Sequence, residues 1–339
     1  MNKLFSAVRK MSVAILFLSS TLTIAPANAQ AQDHVNIDLL TTVFGTGSYV
    51  MGTALEEISK KNSKQITINA TETPGFIFNL RTLIQKPEAR KNTIIGTGAG
   101  VLGLAAVGHK PFKEKHADVA LLIGNYYIGT YWLATTNPNI KTVNDLEGKK
   151  IALGRAAQIN WAVQTAAVIE EGYGLKGKVD IQYVGTEDAV AALLDGNVDA
   201  AIVGGYYDPL SGEMTLSPQT AELMASGRDI TFISMGDEQI KKTVDSGIHM
   251  LSLYIDKNTI DNIDYDFNVI ADTVSWAVSP EFSEETAYEI TKLILNNIQT
   301  FSKYHALGKL MSHEGLIYGW DMEDIHPGAL RAYKEAGVL

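Results

Sequence analysis

Cysteine is absent from all 339 residues, so disulfides, thiolate metal sites, cysteine nucleophiles and a lipid attached at a cysteine are all excluded. No apolar run reaches the roughly 20 residues that a membrane-spanning helix needs. Basic charge is in deficit, with 28 Lys and Arg against 38 Asp and Glu, a poor match for nucleic acid or anionic lipid. The seven histidines, His34, His109, His116, His249, His305, His313 and His326, show no paired metal-ligand spacing, and neither a metal nor a cofactor is expected. A G-x-S-x-G elbow is also missing, which removes one common hydrolase arrangement.

What is present begins with a processing signal over residues 1–29. Lys3, Arg9 and Lys10 form a basic start, Met11 to Ile24 an apolar core, and Ala27-Asn28-Ala29 a cleavage site of the Ala-x-Ala type. Export to the periplasm follows, with no membrane insertion after cleavage. From Gln30 onward 25 basic residues face 38 acidic ones, a net charge of −13. The remaining length suffices for two lobes with cores of their own.

The pattern is α/β. Ile37–Val43 reads as a strand that hands over, through Phe44-Gly45-Thr46-Gly47-Ser48-Tyr49-Val50-Met51-Gly52, to an amphipathic helix. Small residues at a helix start let backbone N–H groups approach a ligand, and the helix dipole favours an anion there. A tight turn with a steric need for glycine explains the same stretch. Gln65–Thr71 is a second strand, Phe76–Ile84 a helix after Thr73-Pro74-Gly75, and Thr93–Ile95 a buried strand ending in Gly96-Thr97-Gly98-Ala99-Gly100. Ala117–Ile123 runs on through Tyr126-Tyr127 into Thr130–Ala134.

A second unit follows Asn137-Pro138. It contains the strand Ile151–Gly154, a loop Arg155–Ile159, a helix Trp161–Glu171 with Asn160 as N-cap, and strands at Val179–Val184 and Val198–Val203, the latter ending in Gly204-Gly205-Tyr206-Tyr207. Thr273–Val278 then reads as a returning strand, and Ser283-Glu284-Glu285 starts a long helix. The predicted organisation is lobe I over 30–130 and 276–339, lobe II over 131–275, and two crossings, near Tyr127–Trp132 and Val274–Val278, that act as a hinge.

Five landmarks in order resemble the TAXI family, the solute-binding proteins of one class of tripartite ATP-independent periplasmic (TRAP) transporters. They are Gly45 to Gly52, Asn79-Leu80-Arg81-Thr82-Leu83, Val143 to Gly154, Leu194 to Ala201, and His326-Pro327-Gly328-Ala329. The resemblance implies a type II periplasmic binding-protein fold, two α/β lobes joined by a two-strand hinge, with a small organic acid between them and TRAP permease subunits as membrane partner. A periplasmic sensor subunit would use the same fold. Where the family tends to a Gln-Ser-Asp-like triplet this chain has Gly98-Ala99-Gly100, expected to enlarge the space. Where it tends to Ala-Pro-Gly-Ser-Gly-Thr-Glu this chain has Arg155-Ala156-Ala157-Gln158-Ile159-Asn160-Trp161. Hydroxyls give way to an amide, an apolar group and an indole, so glutamate specificity is not carried across.

Candidate ligand contacts in the first lobe are Thr46, Gly47, Ser48, Tyr49, Phe76, Gly98, Ala99 and Tyr126. In the second they are Arg155, Gln158, Ile159, Asn160, Trp161, Gly205 and Tyr206. Arg155 is the sharpest of these, since a guanidinium in a strand-end loop grips a carboxylate with two hydrogen bonds; a surface or interlobe salt bridge is its alternative. Arg81 is expected in a structural ion pair. Alternation should turn one ring of each pair, Tyr126/Tyr127 and Tyr206/Tyr207, inward and the other outward. Many aromatics and few polar groups suit a ligand with an apolar body and one anionic end. The enzymatic rival is a nucleotide-dependent one: Gly98-Ala99-Gly100-Val101-Leu102-Gly103 matches G-x-G-x-x-G after a strand, with Asp118 at about the distance of a ribose contact. Gly108 to Pro111 stops the following helix early, against that rival.

Overall fold

Two long antiparallel strands form the middle of the molecule. The computed structural model describes residues 34–339, and the expected signal over residues 1–29 lies outside the described residues. The first half runs β1 (Val35–Leu40), α1 (Gly47–Asn62), β2 (Ile66–Thr71), α2 (Phe76–Gln85), β3 (Thr93–Gly98), α3 (Ala99–Val107) and β4 (Leu121–Thr135). Next come β5 (Lys150–Leu153) and a helical stretch in which α4 (Thr165–Ala167) is flanked by π-helical turns at Ile159–Gln164 and Val168–Gly172. β6 (Asp180–Tyr183), α5 (Thr186–Leu194), β7 (Ala200–Tyr207), β8 (Met214–Leu216), α6 (Pro218–Ala225) and β9 (Thr231–Ile233) follow. The chain closes with α7 (Asp237–Asp245), β10 (Leu251–Ile255), β11 (Phe267–Val278), α8 (Glu284–Asn296), a run of 3-10 turns and α9 (Pro327–Glu335).

The sheet order is β2-β1-β3-β11-β4-β7-β5-β6. β1 is parallel to β2 and β3, and β5 is parallel to β6 and β7, so a parallel set stands at each end. Between them β11 runs antiparallel to β3 and β4, and β4 antiparallel to β7. With 15 residues β4 is long enough to cross both sets, at about 3.3 Å per residue. The chain leaves the first set on β4 and returns on β11.

Apolar periodicity builds two cores. Met51, Leu55 and Ile58 on one face of α1 pack against Ile37 and Leu39 of β1 and against Ile290 and Ile294 of α8. A second core gathers Trp132, Phe232 and Phe267, with ring centroids 5.3 to 5.8 Å apart, and takes in Leu80 and Leu83 of α2 and Leu104 of α3. α8 starts as its sequence predicts: Ser283 Oγ accepts from Thr286 N–H, and Glu284 and Glu285 occupy the first turn.

Several boundaries differ from the sequence expectation. Gly96 to Gly98 and Gly204 to Tyr207 lie inside strands, because β11 pairs with the end of β3 and β8 with the end of β7, supplying hydrogen bonds that prolong both. Leu121, not Ala117, opens β4. The helix expected at Trp161 begins at Ile159; Gln158 takes the N-cap position, and Asn160 is spent elsewhere. Arg81 makes no ion pair among the described residues. Its guanidinium donates to Pro111 O at 2.8 Å and lies over the Phe112 ring.

Candidate functional site

Thr46 is the N-cap of α1, and the capping role consumes its side chain. Its Oγ1 accepts from Tyr49 N–H at 3.3 Å, donates to Val43 O at 2.7 Å and lies 2.6 Å from the Thr42 hydroxyl. Val50 N–H closes the first helical bond on Thr46 O. The amides of Gly47 and Ser48 are left without an acceptor among the described residues, at the positive end of a 16-residue helix. The Ser48 side chain is buried, accepts from Tyr126 Oη at 2.8 Å and lies 3.3 Å from Tyr127 Oη.

Both rings of the pair therefore reach one serine, against the expected alternation. A register shift explains it: Val274 pairs with Tyr127 and Ser275 with Asn125, so Tyr126 is the extra residue of a bulge that turns its side chain toward its neighbour's. The two rings meet edge to face at 5.1 Å, and Tyr126 stacks on Trp276 at 4.7 Å. Tyr206 of β7 meets Tyr127 edge to face at 5.0 Å, which places it beside the ring that reaches Ser48. Burial raises the pKa of Tyr126, Tyr127, Tyr131 and Tyr206 above the usual tyrosine value, so all four keep their protons at neutral pH. Behind Tyr126 and Tyr127 a cavity of about 10 Å³ has room for roughly one water.

The second convergence centres on Asp272, a fully buried carboxylate of β11. Gly100 N–H, at the start of α3, donates to it at 3.1 and 3.2 Å, and Asn160 Nδ2 donates at 2.7 Å. Gln164, one helical turn on, donates to His249 O at 2.8 Å. Burial pushes the Asp272 pKa up to about 7, although the bonds from Gly100, Asn160 and Gln164 pull it back down. Tyr131 feels the Asp272 charge and stacks edge to face on Trp161 at 4.9 Å.

This network corrects the expectation that Gly98-Ala99-Gly100 enlarges the cleft. A Cβ on Gly98 would stand 3.0 Å from Asp272 Oδ2, and one on Gly100 would strike Gln164 Nε2 and lie 2.8 Å from Asp272. Glycine is there because Asp272 of β11 and, at Gly100, Gln164 pack against it. The G-x-G-x-x-G match falls for the same reason, since the α3 N-terminus that would take a pyrophosphate already holds the chain's own carboxylate.

Of the remaining candidates, Tyr49 is half-buried and stacks on the exposed Phe44 at 5.1 Å, at the rim of the α1 start. Phe76 is half-buried beside both cores. Ala99, Ile159 and Gly205 are buried, and a Cβ on Gly205 would come within 2.8 Å of Thr215 O. Gln158 Oε1 accepts from Arg155 N–H at 2.7 Å and so shapes the loop. The Arg155 side chain is exposed and forms no ion pair among the described residues. Sequence reasoning missed Asp272, Tyr131 and Gln164, and named Tyr127 only as one of a pair of which a single ring would face inward. One signal for Asp272 was available, an acid in the middle of the apolar run Val269-Ile270-Ala271-Asp272-Thr273-Val274.

Among the solved structures that resemble this chain at low identity are the following three. A TctC solute-binding protein from Polaromonas is 14% identical, with 89% of this chain and 96% of that one covered and a TM-score of 0.48. The periplasmic aliphatic sulphonate-binding protein SsuA from Escherichia coli is 16% identical, with 89% and 83% covered and a TM-score of 0.41. Rpa4515 of R. palustris, solved with adipate, is 11% identical, with 89% and 93% covered and a TM-score of 0.48. No helix among the described residues is long and apolar enough to cross a membrane. The NMT1-like family matches residues 39–337, nearly all of the described structure, and the chain belongs to that family.

Proposed function

We propose that this chain is a periplasmic solute-binding protein of the TAXI kind, which holds a small organic acid between its two α/β halves and passes it unchanged to the permease of a TRAP-type transporter. The observation that carries this reading is the meeting of the two halves at the start of α1. Ser48 and the unpaired amides of Gly47 and Ser48 belong to the first half, and Tyr206, stacked on Tyr127, comes from the second. Unpaired N–H groups at a helix N-terminus favour an anion, and protonated tyrosine hydroxyls donate to one without adding charge. The aromatic walls suit an apolar body.

Arg155, exposed and at the end of β5, is proposed to reach the same carboxylate on closure. The lobes are proposed as 30–130 with 276–339 and 131–275, closing about β4 and β11, with contacts to the solute that exist only in the closed form. Titration calorimetry with 4-methyl-2-oxopentanoate, phenylpyruvate, glutarate and glutamate tests the ligand class. Binding of the branched or aromatic acids supports the reading; tight binding of glutamate with none of the others refutes it.

A further inference from the structure

The fully buried Asp272 carboxylate has no cation to pair with. β3, β4, β11, α3 and the turn Ile159–Gln164 hold no lysine, arginine, histidine or other acid. The titratable groups on the elements packed round it are the tyrosines of β4, of which Tyr131 feels its charge, and His249, whose carbonyl accepts from Gln164. Tyr254 of β10 sits opposite Asn268, further along the strand. Burial keeps the β4 tyrosines protonated and the His249 imidazole neutral. The donors to Asp272 are likewise uncharged, and they come from both of the proposed lobes: Gly100 N–H from 30–130 and Asn160 Nδ2 from 131–275. Gln164 also faces the carboxylate, and its Oε1 is buried without a donor among the described residues. The site is sealed, since a Cβ on Gly100 would stand 2.8 Å from Asp272 Oδ2 and 3.3 Å from His249 O.

When two lobes swing about β4 and β11, the start of α3 parts from the turn at Ile159. Asp272 then loses either Gly100 or Asn160, and water takes the vacated place. A sealed site disfavours the ionised carboxylate, and water favours it. Burial accordingly pushes the Asp272 pKa in this structure up to about 7, from an ordinary value of 3.8. Closing therefore takes up a proton and opening releases it. On the reading of two hinged lobes given above, we propose that Asp272 is a proton-sensitive latch, which holds the halves together around the solute when it carries a proton and lets them part when it does not. Closure is favoured most on the acid side, the advantage shrinks as pH rises to about 7, and nothing further changes above that. Asp272 acts on the solute through the position of the halves and not by contact.

The test reads the empty protein, so its outcome does not depend on which acid the cleft takes. Spin labels at Lys64→Cys and Lys176→Cys, both exposed and on different lobes, give the ratio of short to long distances by pulsed electron resonance. Between about pH 5 and about pH 7 the ratio should fall with rising pH, by up to about tenfold per unit, and then stay level. In Asp272→Asn, of equal size and unable to ionise, the ratio should not vary with pH. Asn160→Ala removes a donor to the ionised form and should move the levelling-off point to higher pH, which the loss of a merely structural contact would not do. Two distances whose ratio ignores pH in the wild type, a pH dependence that survives in Asp272→Asn, or an unmoved levelling-off point in Asn160→Ala overturns the latch and leaves the hinged lobes standing. One narrow distance at every pH overturns both.

Discussion

Asn160 Nδ2 donates to the buried carboxylate of Asp272 at 2.7 Å, across 112 positions of sequence. Gly100 N–H, from a third part of the chain, donates to the same group. One central strand thus holds a carboxylate on which the start of α3 and the start of the helical stretch at Ile159 converge.

Asp272 gives stability a pH dependence of known sign. Its folded pKa, about 7, lies above the unfolded value of 3.8, so the folded chain keeps a proton that the unfolded chain releases. Its contribution therefore falls as pH rises from about 4 to about 7, then levels off. Thermal unfolding of the wild type and Asp272→Asn across this range should show the difference between them shifting up to about pH 7 and constant above it. A difference independent of pH would contradict the assignment.

Ser48→Ala removes the acceptor of the Tyr126 hydroxyl and leaves that group buried and unsatisfied. Such an orphan costs about 1–3 kcal/mol, which urea unfolding would register as a lower midpoint at unchanged slope. In the background of Tyr126→Phe the same substitution should cost less, since no hydroxyl remains to be stranded.

Gly100→Ala pits two effects against each other. Helix propensity favours alanine by about 1 kcal/mol, but the new methyl meets Gln164 and Asp272, and overpacking costs about 1–3 kcal/mol. The clash wins because Gln164 can retreat only by giving up its bond to His249 O. A lowered melting temperature is expected; a raised one would mean that the two halves stand further apart at this point.

Arg155→Ala should weaken the acid identified by calorimetry about tenfold to a hundredfold if the guanidinium grips its carboxylate. Arg155→Lys should recover only part of the loss, since an ammonium lacks the two-pronged geometry. Unchanged affinity in Arg155→Ala would assign the side chain to the surface.

Local signals were legible in the sequence and distant ones were not. Ser283 before Glu284-Glu285 announced the start of α8, and apolar runs announced β1, β7 and both central strands. The glycines of Gly98-Ala99-Gly100 were visible, but whether they make room or permit contact depended on Asp272 and Gln164, far away in sequence. Alternation predicted opposite directions for Tyr126 and Tyr127, and a single bulged residue reversed that outcome. Asn160 looked like a cap because Asx residues favour helix starts; its partner across the molecule outweighed that preference.

The absence of cysteine makes closure measurable by spin labels placed at will. With Lys64→Cys on the first half and Lys176→Cys on the second, both exposed, pulsed electron resonance reads the distance between the halves with and without the acid found by calorimetry. The account predicts a broad or two-peaked distribution for the empty protein that collapses to one shorter distance with the solute bound. A single narrow distance that the solute leaves unchanged would contradict it.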